Sequence, residues 1–274
     1  MGGQIRRGLV DTAHGQMHYR HIGQGTPYFL IHWGPWSSKQ YAPIMPLLAD
    51  AGYAPYAFDV LGYGFSDFPE VSLTTTDHAD ALIAAIDTLR LSSGVFHAGH
   101  LPTVIATEVA LKRPDLVRKM VLDGAPLLTE AVVKAMMTKA EKFNGKWVYS
   151  PDGAHERYFW DATVNLMEIW DPSFRVTADT VEKVHRYMAD YLLYGVPKVS
   201  KHVVNVDAAA RLKELTIPVL ALTADNEPLR TGHETLLGVL KKGQGHIFPG
   251  AHPHHYPERA AEYVAVIRRF LDAA

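Results

Sequence analysis

Fifteen histidines and no cysteine set the chemistry open to this chain. Without a thiol there are no disulfides, thiolate metal sites or cysteine nucleophiles. Imidazole titrates near neutral pH, which suits it to proton transfer or, when neutral, to metal ligation. Three histidines crowd the stretch PGAHPHHYPE: His252, His254 and His255. No carboxylate-rich spacing accompanies them, so no metal is expected, and a polar surface loop is the plainer reading of His254 and His255. Two carboxylates, Asp225 and Glu227, stand close together in ADNEPL. The segment FHAGHLPTVIA, Phe96 to Ala106, runs from a strand into a helix through a turn that holds His100, Leu101 and Pro102 and no serine.

These residues need a scaffold, and the chain supplies one. Its 274 residues can bury a large core as one domain. Hydrophobic residues make up 47% and charged residues 20%, a soluble globular balance. With a net charge of −2, neither nucleic acid nor an acidic membrane surface is an expected partner. The N-terminal stretch MGGQIRRGLVDTAHG lacks the apolar core of a signal peptide. No apolar run approaches the length of a membrane span. A soluble cytoplasmic protein is the expectation.

Strands and helices alternate along the chain. QMHYRHIG, PYFLIHW, APYAFDV, GVFHAGH, VRKMVLDGA, IPVLALTADNEP and GHIFPGAH read as strands. SKQYAPIMPLLADAGY, TTTDHADALIAAIDTLRL, TVIATEVALKRP and PERAAEYVAVIRRFLDAA read as helices, the second capped by Thr76 or Asp77. This order predicts an α/β fold, a mostly parallel sheet flanked by helices. One segment breaks the alternation. Residues 126–215 show no clear strand, and LTEAVVKAMMTKAEKF and TADTVEKVHRYMADYLLYG read as helices. We read 126–215 as an inserted helical cap and 1–125 with 216–274 as the core. Trp147, Tyr149, Tyr158, Phe159, Trp160 and Trp170 suggest an apolar cavity in the cap.

Four motifs, FLIHWGPWSS, YAFDVLGYGFSD, GHLPTVIATEVALKRPDLVRKMVLDGAP and IPVLALTADNEPL with IFPGAHPHHYPERAAEYVAVIRRFL, resemble the α/β-hydrolase superfamily in its capped branch. The likeness runs from the N-terminal strand to the C-terminal helix, with only the insertion unmatched. It implies an α/β-hydrolase fold with an inserted cap. The third motif corresponds to the nucleophile elbow, which reads Gly-x-nucleophile-x-Gly. In that register Leu101 stands at the nucleophile and cannot attack a carbonyl. Thr103 offers a hydroxyl two positions late, where it should face helix packing. Pro102 would remove the backbone N–H that follows the nucleophile and holds the oxyanion. Such a loss costs roughly 2.7–4 kcal/mol of transition-state stabilisation.

The resemblance also implies roles for other residues. His252 takes the place of the catalytic histidine, with His254 as the alternative. Glu227 takes the place of the acid that orients it, with Asp225 and Asp123 as alternatives. His32 and Trp33 fall in the oxyanion loop, where the Trp33 N–H would donate to a ligand oxygen. Trp36, His100 and Leu101 join them as candidate substrate contacts, although packing is the plainer reading of His100. A His252–Glu227 pair would then do acid/base chemistry without a covalent intermediate, on a small, largely apolar carbonyl compound. Lyase, elimination, cyclisation and isomerisation steps fit that description. Hydrolysis by His-activated water and a catalytically inactive small-molecule binder are the competing readings. No cofactor is expected. The expected partner is a small-molecule substrate or ligand, and a homodimer is allowed.

Overall fold

The computed structural model describes residues 3–34, 36–127, 150–194 and 207–273. Eight strands form one sheet: β1 (Arg6–Thr12), β2 (Gly15–His21), β3 (Thr26–Ile31), β4 (Tyr53–Phe58), β5 (Gly94–Gly99), β6 (Val117–Asp123), β7 (Val219–Ala224) and β8 (Gly243–Phe248). Their spatial order is β1-β2-β4-β3-β5-β6-β7-β8. β1 and β2 pair antiparallel, as do β2 and β4. From β4 through β3, β5, β6 and β7 to β8 every pairing is parallel. β1 is an edge strand beyond the elements expected from the sequence; its exposed arginines and Gly8 hide the alternation that marks a strand.

Period-2 geometry sends alternate side chains to opposite faces of the sheet. Phe29, Ile31, Phe96, Ala98, Met120 and Leu122 enter one core. Tyr28, Leu30, Val95, Val121, Leu220 and Leu222 enter the other. Helices α2 (Thr75–Thr88) and α3 (Thr103–Lys112) cover the first face, through Ala81, Leu82, Ile86, Ile105 and Val109. α1 (Met45–Asp50) and the C-terminal α8 (Ala260–Asp272) cover the second, through Leu48, Tyr263, Ile267 and Phe270. α2 starts in a capping box: Thr74 Oγ1 accepts from Asp77 N–H, and Asp77 Oδ2 accepts from Thr74 N–H. The cap is therefore Thr74, earlier than the expected Thr76 or Asp77.

Between β6 and β7 lie α4 (Ala154–Trp170), α5 (Val181–Tyr194) and α6 (Ala208–Glu214); α7 (His233–Val239) follows β7. The α5 helix is where its sequence predicts. α4 lies in the aromatic stretch that shows no clear periodicity. Met167 of α4 and Val184 and Tyr187 of α5 pack into the second core, beside Trp33 and Trp36. The helix expected at 128–143, and Trp147 and Tyr149, lie outside the described residues. Among the described residues no helix is long and apolar enough to cross a membrane.

Candidate active site

β5 ends at Gly99 and α3 begins at Thr103. The turn between them forces one residue into the left-handed region, and that residue is His100, at φ 53°. An L-residue there costs about 1–2 kcal/mol. Local bonds hold it: His100 N–H donates to Asp123 O at 2.8 Å, and Thr103 N–H and Oγ1 donate to His100 O at 3.0 and 2.6 Å. Two missing β-carbons make the room. A Cβ on Gly99 would lie 1.4 Å from Trp33 Nε1. One on Gly124, itself at φ +59°, would lie 2.7 Å from His100 Cδ2.

The strained residue is His100, and Leu101 is the residue after it. Leu101 keeps a backbone N–H, which makes no hydrogen bond among the described residues. Pro102 caps α3 at φ −60°, where a missing N–H costs nothing. The amide that follows the strained residue is that of Leu101. Leu101 itself packs against the first core. Thr103 is buried with its hydroxyl already donated.

His100 Nε2 lies 3.2 Å from Glu227 Oε2, with side-chain exposures of 18% and 3%. Glu227 follows β7 and is held by its own turn: its N–H donates to Ala224 O, and its Oε1 accepts from Leu229 N–H at 3.2 Å. In the tautomer that donates Nε2–H to Glu227 Oε2, the lone pair of His100 lies on Nδ1. The indole of Trp33 stacks on this imidazole, centroids 3.8 Å apart and planes 16° apart.

The expected His252–Glu227 pair does not form. His252 is 38% exposed, with Nε2 3.9 Å from Asp171 Oδ2 at the end of α4. The loop after β8 turns at His254, whose φ is 57°, and this separates the neighbouring histidines. His254 is buried; its Nδ1 bonds the Tyr187 hydroxyl of α5, and its Nε2 has no partner among the described residues. Burial holds its imidazole well below the ordinary range, hence neutral. His255 Nδ1 lies 3.0 Å from His252 O, and burial lowers its pKa to about 4. Asp225 is not at the site either: its Oδ2 accepts from Gly250 N–H at 2.7 Å, tying together the loops after β7 and β8.

His32 commits both ring nitrogens to backbone. Val60 N–H donates to Nε2 at 3.0 Å, so Nδ1–H donates to Trp33 O at 2.8 Å. No ring atom remains for a ligand. Trp33 N–H donates to Gln40 Oε1 at 3.1 Å, so the expected oxyanion donor is already occupied. Trp36 stacks on Trp33 and meets Tyr187, with centroids 5.8 and 4.9 Å away. Trp36, Gln40, Tyr187, Asp190 and His254 line a cavity of about 400 Å³ against α5. Asp123 is buried beside the elbow and accepts from the Tyr263 hydroxyl at 2.7 Å. Burial pushes its carboxyl up to about 6, against the Tyr263 bond and the His100 charge. Gln40, Tyr187 and Tyr263 carry no sequence signal for these contacts; each lies in an element whose spacing asks only for core. Among the described residues no three His, Asp or Glu side chains converge as metal ligands.

A sequence model of the alpha/beta hydrolase fold matches residues 27–235. The chain belongs to this family. Within it, a haloalkane dehalogenase of Mycobacterium marinum is 31% identical over 124 residues, covering 44% of this chain and 42% of that protein. An (E)-2-((N-methylformamido)methylene)succinate hydrolase of Acinetobacter baylyi is 33% identical over 126 residues, covering 45% and 47%. These matches span less than half of the relatives' length. A 2-hydroxymuconate semialdehyde hydrolase of a Pseudomonas species is 23% identical over 267 residues, 92% of this chain and 89% of that one. The solved epoxide hydrolase of an endophytic Streptomyces superposes with a TM-score of 0.79 at 21% identity, covering 98% of this α/β-hydrolase chain and 95% of the other. A likeness at that identity establishes the fold.

Proposed function

We propose that this α/β-hydrolase-fold protein is an enzyme that needs no covalent serine and no cofactor, and that His100, oriented by Glu227, is its general base. The carrying observation is the 3.2 Å contact between His100 Nε2 and Glu227 Oε2 at the strained elbow. It leaves Nδ1 as the lone pair that takes a proton. Glu227 would compensate the imidazolium that results. The segment 126–215 would act as a cap that shields the site from bulk water.

Hydrolysis by activated water is the step this arrangement supports best. His100 Nδ1 takes a proton from water as the water oxygen attacks an electrophilic carbon of a small substrate. The Leu101 N–H, next to the strained residue, is the donor available to the developing oxyanion. The proton then passes to the leaving group. Two of these relatives are named hydrolases, which supports water as co-substrate. The lyase-type alternative uses the same base on a C–H bond. Turnover of an ester, amide, epoxide and haloalkane panel in ¹⁸O-water separates the two, because only hydrolysis places solvent oxygen in the product. Labelling of the protein by a serine-directed fluorophosphonate would overturn both.

One observation favours a second reading, a small-molecule binder. Trp33 covers one face of His100 and spends its N–H on Gln40. Retained ligand binding with no turnover across the panel would select that reading.

A further inference from the structure

A line of polar groups crosses the second core behind the elbow. The Tyr28 hydroxyl lies 3.1 Å from His97 Nδ1, and His97 Nε2 lies 3.0 Å from the Tyr263 hydroxyl. That hydroxyl donates to Asp123 Oδ2 at 2.7 Å. All four side chains are buried. Burial lowers the His97 pKa to about 3, so its ring is neutral and carries one proton. Each tyrosine also has one proton to give, which fixes the direction of the line. With Asp123 ionised, Tyr263 donates to the carboxylate, His97 Nε2–H donates to the Tyr263 oxygen, and Tyr28 donates to Nδ1. With Asp123 protonated, every bond can reverse: Asp123 donates to Tyr263, Tyr263 to Nε2, and Nδ1–H to the Tyr28 oxygen, whose own O–H then turns away from His97. The charge on Asp123 and the tautomer of His97 are therefore coupled.

Asp123 is also the elbow's neighbour. It lies opposite Gly99 in the sheet, and its carbonyl accepts the His100 N–H. The groups that face Asp123 are Tyr263 from α8, Tyr41 from the turn after β3, Tyr256 from the loop after β8, His100 from the elbow and Glu227 from the loop after β7, with His97 from β5 reaching it through Tyr263. Positive charge on His100 favours the ionised carboxylate, and negative charge on Glu227 opposes it.

We propose that Tyr28, His97 and Tyr263 are positioning residues for the His100 base: they form a reversible proton line that sets the charge of Asp123, and that charge sets how firmly His100 holds a proton. This rests on His100 being the base, yet its test needs no turnover. The full chain is labelled with ¹⁵N-histidine and its imidazoles are followed by NMR across pH. In the unaltered protein the His97 ring should change from Nε2–H to Nδ1–H as Asp123 gains its proton. Asp123→Asn should lower the His100 midpoint, because it removes a nearby negative charge that favours the imidazolium. Tyr263→Phe, which removes only a hydroxyl, should lower it in the same sense and add nothing in the Asp123→Asn background. A His97 tautomer that stays fixed while Asp123 titrates, or a His100 midpoint unmoved by both substitutions in folded protein, overturns the proposal. Turnover surviving His100→Ala would instead overturn the assignment of the base while leaving this coupling measurable.

Discussion

His100 Nε2 and Glu227 Oε2 lie 3.2 Å apart across the mouth of the sheet, although 127 positions separate them in sequence. The imidazole paired with this acid comes from the elbow and not from the loop after β8. Substituting the members of the pair, and His252, should therefore separate the two histidines. His100→Ala and Glu227→Gln should each lower kcat about 10²–10⁴-fold, the usual contribution of a positioned base. His252→Ala, at an exposed side chain beside Asp171, should leave activity intact and stability within about ±0.5 kcal/mol. Steady-state kinetics and urea unfolding of the three variants check this, and a silent His100→Ala would refute the assignment.

Leu101→Ser should not create a serine hydrolase. The strained position belongs to His100, and residue 101 already turns into the helix. A hydroxyl placed there is offset from both the elbow and the acid. The variant should remain unlabelled by a fluorophosphonate probe in intact-mass spectrometry; stoichiometric labelling would count against this geometry.

Gly99 and Gly124 should be intolerant of a single methyl group. The Gly99→Ala carbon would enter the Trp33 indole, and the Gly124→Ala carbon would meet His100 from a backbone at φ +59°. Crowding in a packed interior costs about 1–3 kcal/mol, and a left-handed L-residue about 1–2 kcal/mol more at Gly124. Both variants should lower the urea midpoint by corresponding amounts. Tryptophan fluorescence should change in Gly99→Ala, where the indole must move. Gly153→Ala, at φ +76° with no atom of the described residues within 4 Å of its Cβ, should pay the backbone cost alone.

Acid should destabilise the fold through its buried histidines. His78 is buried with neither ring nitrogen partnered among the described residues, and burial lowers its pKa from 6.5 to about 4. Its folded value is depressed below the unfolded one. The unfolded chain therefore binds the extra proton first, and stability is lost as pH falls from about 6.5 towards 4. His97 and His255, lowered to about 3 and about 4, act in the same sense. Asp123 and Asp190, each raised to about 6, act in the opposite sense and blunt the loss. His78→Leu should cost little at neutral pH and flatten the acid limb of a plot of urea midpoint against pH. An unchanged acid limb would show that His78 is solvated or hydrogen-bonded.

Much of the molecule is legible in the chain. Continuous apolar runs such as PYFLIHW, alternating with amphipathic helical stretches, determine a mostly parallel sheet with helices on both faces, because no other arrangement buries both faces of those strands. Composition excludes thiol chemistry, and GHLPT holds no serine. The acid is also readable: Glu227, just before Pro228 in the turn after β7, is the carboxylate that reaches the elbow.

What only the tertiary structure decided is which residue occupies the strained point and which histidine meets the acid. Both depend on where a turn changes hand, and a positive φ on an L-residue leaves no composition or periodicity signal. At the elbow, α3 begins at Thr103 with Pro102 as its cap, so the left-handed residue is His100 and not Leu101. After β8, a second left-handed turn at His254 buries that ring against Tyr187 and leaves His252 facing Asp171. Spacing along the chain brings a loop to the right end of the sheet; the hand of a single residue then aims each side chain.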